Sequence, residues 1–216
     1  MWLRAPRRLP AGSLLSAPRS TPRDSVHWMR WDLPLRIVPL LGTPILLAAY
    51  TPLSFRALGL TLEGSPRQVG LSLLLAPPIG LLAWWYRRGY VGRMVTPTRA
   101  DAWFQSAYYV VLNTPAEELF FRGLLLGGLS RVIPTAAAWV VSTLVFGLYH
   151  IPSGWGWNAV GGVTAAGGFF GLLFLAGPGG ASLLLPCLVH AVATCAFLSA
   201  GPSLARAAEA RRSQRA

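Results

Sequence analysis

Lysine is absent from this 216-residue chain, so all 19 basic residues are arginine. We read this as a coding bias that marks no site. Charge is scarce as well: 12% of residues are Asp, Glu, Lys or Arg, against roughly 25% in a soluble domain, which excludes an ordinary soluble fold. Cysteine is limited to Cys187 and Cys195. On one helix they would lie about 12 Å apart, too far for a disulfide between them. The HExxH spacing of common zincins is missing, as is any solenoid or propeller repeat. Residues 1–30, rich in Arg, Pro and Ser, lack the continuous apolar core of a signal peptide and are expected to be a poorly ordered basic tail.

What the chain has is apolar sequence, 53% hydrophobic with a mean hydropathy of +0.48. The net charge of +12 would suit nucleic acid, but the arginines cluster at the ends of apolar runs, where the positive-inside rule places them. The expected partner is therefore a lipid bilayer, with no nucleic acid. Six runs reach or approach spanning length, at about 35–55, 68–86, 103–130, 133–150, 158–176 and 181–200. They predict an all-α fold, a polytopic membrane helix bundle of about six transmembrane helices with a polar intramembrane site. Its expected parts are a basic, disordered tail (1–34), two helices with a basic cytoplasmic loop extended by Arg93 and Arg99 (35–100), a core (101–200) and a basic C-terminal tail (201–216). Placing both termini in the cytoplasm puts 15 arginines inside and three, Arg56, Arg67 and Arg131, outside, in line with that rule. The remaining one, Arg122, falls within the membrane.

The stretch 116–128, AEELFFRGLLLGG, sets Glu117, Glu118 and Arg122 among Leu, Phe and Gly. An ionised side chain at the bilayer centre costs roughly 2.5–3.5 kcal/mol on insertion scales, so each needs a partner or a task. Glu118 and Arg122 stand four apart with the acid first, the favourable order for an ion pair on a helix. Glu117 points about 100° away and is expected to be the acid free for chemistry. A structural reading competes: Thr114 as N-cap, Pro115 at the first helical position and Glu117 closing a capping box. Two more ionisable residues lie in or at the ends of apolar runs, His150 in FGLYH and His190 in LVHAVATC. Phe146 lies one turn before His150, and Thr194 one turn after His190.

With these residues in view, the sequence resembles the CPBP family of intramembrane proteases, which includes type II CAAX prenyl proteases and abortive-infection proteins. The family's EExxxR motif appears at Glu117, Glu118 and Arg122, its FxxxH motif at Phe146 and His150, and its HxxxN or HxxxD motif at His190, with Thr194 in place of Asn or Asp. The resemblance covers roughly residues 103–200. It implies an endopeptidase acting on a membrane-associated protein or peptide, CAAX-type prenylated in the family's name, in which Glu117 activates water, Glu118 paired with Arg122 orients it, and His150 and His190 assist. Phe146, Thr194 and Asn113 are the expected supports for substrate or oxyanion. Asn113 and Asn158 are the candidates to replace the missing amide, because a threonine hydroxyl has one donor where an amide has two.

The expected chemistry needs no cofactor, with a divalent metal such as zinc as the alternative that the ligand types would suit. Helix rise puts His190 about 15 Å from Ala200. Aligning Glu117 with both histidines then requires residues 101–107 to lie near the interface and the site to open toward the cytoplasm. Two other functions compete: a non-catalytic immunity or scaffold protein that retains the polar cluster, and a proton-coupled carrier, for which the chain shows no inverted repeat of broken helices.

Overall fold

The computed structural model describes residues 18–91 and 95–215. Part of the expected N-terminal tail (1–17), Arg93 of the basic loop and Ala216 lie outside the described residues. A two-residue strand β1 (Arg19–Ser20) pairs in parallel with β2 (Thr96–Pro97). Helix α1 (Pro22–Asp32) begins at Thr21, whose backbone N–H donates to Asp24 Oδ2 at 2.9 Å, with Pro22 at the first position. Asp24 and proline at those positions are the standard start signal of a helix.

From α1 the chain passes through a π-helical turn (Leu33–Ile37) into α2 (Val38–Tyr50), giving one rod, Pro22–Tyr50. The disordered tail expected up to residue 34 is thus a helix from Pro22 onward. Its Ser25, Met29 and Asp32 are buried, and Met29 packs in a cluster with Ile37 and Tyr108. Composition reported the exposed arginines of this segment and missed the face that docks. The C-terminal segment is likewise helical, as α9 (Ala200–Ser213).

Helix α3 (Ser65–Tyr86) is followed by a π-helical turn (Arg87–Val91). Thr98 caps α4 (Arg99–Tyr108) by accepting from the Asp101 amide at 3.2 Å. A π-helical turn (Tyr109–Asn113), α5 (Thr114–Glu118) and a second π-helical stretch (Leu119–Gly128) continue α4 without a break. Pro115 has no N–H for the preceding turn, and its ring crowds a carbonyl there; the widened turns on either side absorb the misfit. The capping box read at Thr114 does not form. Thr114 is already helical, with φ −64° and ψ −47°, because the helix starts fifteen residues earlier.

Three further helices complete the bundle: α6 (Thr135–Leu148), α7 (Trp157–Ala176) and α8 (Leu184–Leu198). α3 packs along α8, and α7 along α6. Glycines let these pairs close. A Cβ at Gly171 would stand 2.8 Å from Trp139 Cδ1, and one at Gly147 would overlap Thr164. At Gly123 and Gly127 the close neighbours are the carbonyls of Leu58 and Ala57, so that smooth face receives a loop instead of a helix.

Among the described residues, three helical rods are long and apolar enough to cross a membrane, Pro22–Tyr50, Ser65–Val91 and Trp157–Ala176. α8 and α9 make a fourth if read together across their 40° bend. Leucines such as Leu73, Leu74 and Leu81 point outward, an apolar exterior that suits acyl chains and would be a liability in water. The protein is an all-α integral membrane bundle.

Candidate active site

Three helical segments carry the five ionisable residues singled out above, and the fold brings all five together. Glu117 and Glu118 come from α5, Arg122 from the π-helical stretch after it, His150 from the residue pair following α6, and His190 from the middle of α8. All are buried.

Glu118 and Arg122 form the expected pair, with Arg122 Nη1 3.2 Å from Glu118 Oε1. Arg122 also donates to the Gly167 carbonyl at 2.8 Å and lies 4.3 Å from the Phe146 ring centroid. Its charge is therefore met by a carboxylate, a carbonyl and a π-face, which is how a guanidinium persists in apolar surroundings. Gly167 must lack a side chain here. A Cβ would stand 2.6 Å from Phe146 Cδ1 and 3.3 Å from Arg122 Nη2.

Glu118 has a second partner that sequence did not suggest. His190 Nδ1 lies 2.7 Å from Glu118 Oε1. An ionised carboxylate only accepts, so Nδ1 carries the proton, and in the neutral ring Nε2 is the acceptor. That nitrogen lies 3.7 Å from Glu117 Oε2. His150 is fixed in the same sense, its Nδ1 2.8 Å from the Phe146 carbonyl, which can only accept. The rings are held by aromatic packing: Phe170 stacks on His190 at 4.5 Å, and Trp155 meets His150 edge-on at 4.9 Å. Phe146 touches both imidazoles edge-on.

Glu117 is not the unpartnered acid that helix geometry alone suggested. Arg36, from the π-helical turn ahead of α2, donates from Nη1 to Glu117 Oε1 at 2.9 Å. Arg36 also grips Asp32 through Nε at 2.6 Å and Nη2 at 2.5 Å, reaches Asn113 Oδ1 at 2.5 Å, and meets the Tyr149 hydroxyl at 2.9 Å. Tyr108 hydroxyl donates to Asp32 as well. None of Arg36, Asp32, Tyr108 or Tyr149 was anticipated. The signal was present nonetheless: Asp32 and Arg36 repeat the acid-first, four-apart pattern of Glu118 and Arg122, and Arg36 interrupts the apolar run LPLRIVPLL.

These groups face a cavity of about 410 Å³ whose lining includes Asn113, Glu117, Phe146, His150, His190 and Thr194. Away from the polar end its walls are apolar, with Ile79, Ala166, Phe169 and Phe197 among them. Glu118 and Arg122 are not in the lining; they act from behind His190 and Phe146. Asn158, the other amide considered, donates to the Tyr90 carbonyl at 2.9 Å and is outside the cavity. Arg36 takes the Oδ1 of Asn113, which orients that amide with Nδ2 as a donor. Residues 101–107 begin with Asp101, buried and bonded to Ser20, Ser25 and Gln105.

Glu and His are suitable metal ligands by type. Of the atoms concerned, Glu117 Oε1 is engaged by Arg36 and His190 Nδ1 by Glu118. Among the described residues no group of three His, Cys, Asp or Glu is placed to hold a metal ion.

Comparison with known proteins adds one result. Residues 99–196 match the family described as type II CAAX prenyl endopeptidase Rce1-like. The match takes in Glu117, Glu118, Arg122, His150 and His190, and leaves α1, α2 and α3 outside. The chain matches no curated protein and no solved structure. Through residues 99–196, with its acidic pair and both histidines, this chain is similar to the Rce1-like family of type II CAAX prenyl endopeptidases.

Proposed function

We propose that the protein is an intramembrane endopeptidase that cleaves a membrane-associated, CAAX-type prenylated protein, using water activated by Glu117. The supporting observation is the 3.7 Å separation of Glu117 Oε2 from His190 Nε2 at the polar end of an otherwise apolar cavity. A water about 2.8 Å from each atom bridges that gap off the line between them. Both atoms are acceptors, so they take the two O–H groups and leave an oxygen lone pair directed away from the protein.

Glu117 takes one proton as the water oxygen attacks the scissile carbonyl carbon. The carbonyl π-bond breaks to place charge on its oxygen, and the amide Nδ2 of Asn113 and the hydroxyl of Thr194 are the donors assigned to that oxyanion. Collapse re-forms the carbonyl and breaks the C–N bond, and the proton held by Glu117 passes to the leaving amine. His150 offers a second neutral acceptor for the water or for a substrate N–H. Glu118 holds His190 in the tautomer this requires and keeps Arg122 compensated. The apolar walls suit a prenyl chain, which would set the peptide bond against the polar end. The chemistry runs through side chains and water alone.

The remaining expectations join this proposal: about six membrane passes, both termini in the cytoplasm, and a site open to that side. The test is cleavage of a quenched, prenylated peptide presented in liposomes, by wild type and by Glu117→Gln. Wild-type turnover that disappears in the variant supports the reading, and equal rates overturn it. Turnover lost after EDTA and restored by zinc would overturn its metal-free form.

A further inference from the structure

Arg36 is a buried cation that hydrolysis as written above does not use. A guanidinium has five N–H donors in a rigid fork, and here each has an acceptor. Nε goes to Asp32 Oδ1, Nη2 to Asp32 Oδ2 and Asn113 Oδ1, and Nη1 to Glu117 Oε1 and the Tyr149 hydroxyl. The acceptors come from α1, from the turn before α5, from α5 itself and from the end of α6. A fully engaged planar group contacting four segments has no freedom to rotate, so the oxygen of Glu117 that it holds is fixed with it.

Charge bookkeeping supports the same role. Asp32 takes the bidentate face of Arg36, and that pair is neutral as a unit. Glu117 receives a single N–H from it, so one oxygen is located while the negative charge of the carboxylate stays uncancelled at the site. An Arg36 without Asp32 would lock Glu117 in an ion pair; an Asp32 without Arg36 would repel it.

We propose that Arg36, delivered by the π-helical turn ahead of α2, is the positioning residue of Glu117: it pins Oε1 so that Oε2 stays beside His190, and it orients the Asn113 amide in the same act. The N-terminal rod, which lies outside the matched segment 99–196, thereby completes the site. This inference rests on Glu117 being the base of the proposed peptidase. It adds that part of the machinery comes from outside the family segment.

The test compares wild type, Glu117→Gln, Arg36→Lys, Arg36→Gln and the double variant Asp32→Asn/Arg36→Gln, all as full chains in liposomes, by steady-state cleavage and thermal unfolding. Misplacing a reacting group by about 1 Å costs on the order of 100-fold, so Arg36→Gln is expected to lose about that much kcat. Its KM should stay within about twofold, since Arg36 touches no substrate. Arg36→Lys, with three donors where five are used, is expected to recover only part of the rate. Arg36→Gln leaves Asp32 as a lone buried acid and is expected to unfold at lower temperature; the double variant removes that charge and should regain stability without regaining kcat. A double variant that regains both, or an Arg36→Gln enzyme whose kcat stays within about threefold of wild type, overturns the positioning role while the peptidase reading stands. Equal activity of wild type and Glu117→Gln removes both.

Discussion

Glu118 and His190, 72 residues apart in the chain, are joined by a 2.7 Å hydrogen bond between Oε1 and Nδ1. One acid of the adjacent pair therefore serves an imidazole, and the other faces the cavity. Burial of this pair is what gives the bond its weight, because in a low dielectric a lost partner is not replaced by water.

Glu118→Gln should separate the two acids. The amide oxygen can still accept from Nδ1, but Arg122 loses its carboxylate and is left charged among phenyl rings. Removing one member of a buried pair costs about 3–5 kcal/mol, so thermal unfolding in detergent should shift down clearly. Turnover should fall by about tenfold or more, since the negative charge behind His190 is gone. Wild-type stability and rate together would show that the pair carries neither load.

Thr194 stands in the cavity wall where the family motif carries an amide or acid. Thr194→Asn would supply two donors in place of one. An additional donor to the oxyanion is expected to raise kcat by about tenfold, below the roughly 100- to 1000-fold cost of removing such a donor outright, since Thr194 already supplies one. Steady-state cleavage by the purified variant measures this, and an unchanged or lower kcat would remove Thr194 from oxyanion support.

Gly167→Ala tests the packing between Arg122 and Phe146. Its Cβ would meet Phe146 Cδ1 at 2.6 Å, and Phe146 cannot retreat without displacing both imidazoles, which it contacts. Overpacking of this kind costs about 1–3 kcal/mol. Lower thermal stability is expected together with a loss of cleavage. A variant with full activity would mean that the ring is free to shift.

Ala166→Leu narrows the apolar part of the cavity, far from the ionisable cluster in chemistry if not in distance. If that part receives the prenyl chain, KM for a prenylated peptide should rise severalfold while kcat stays close to wild type, the mark of lost uniform binding. An unprenylated peptide of the same sequence should be unaffected. An equal effect on both peptides would place the lipid elsewhere.

Much of the site could be read from local spacing. Glu118 and Arg122 pair because four residues make about one helical turn, and Phe146 meets His150 for the same reason. Thr114, Pro115 and Glu117 show the limit of that method. Their spacing fits a helix start, yet the helix runs through them, since Thr98 caps it earlier and widened turns accommodate Pro115. Sequence windows report which local arrangement is allowed, and the longer helix outcompeted it.

The sequence by itself determined the membrane class and the helical runs, and it singled out five ionisable residues that the fold brings together, because a charged group in an apolar run is conspicuous whatever surrounds it. Only the tertiary structure decided how those residues are partnered. Arg36 reaches Glu117 across 81 positions and His190 reaches Glu118 across 72, and no periodicity encodes such distances. Helix packing sets them: α1 docks on α4, α8 runs against α5, and the two acids, side by side on one turn, end up facing different partners.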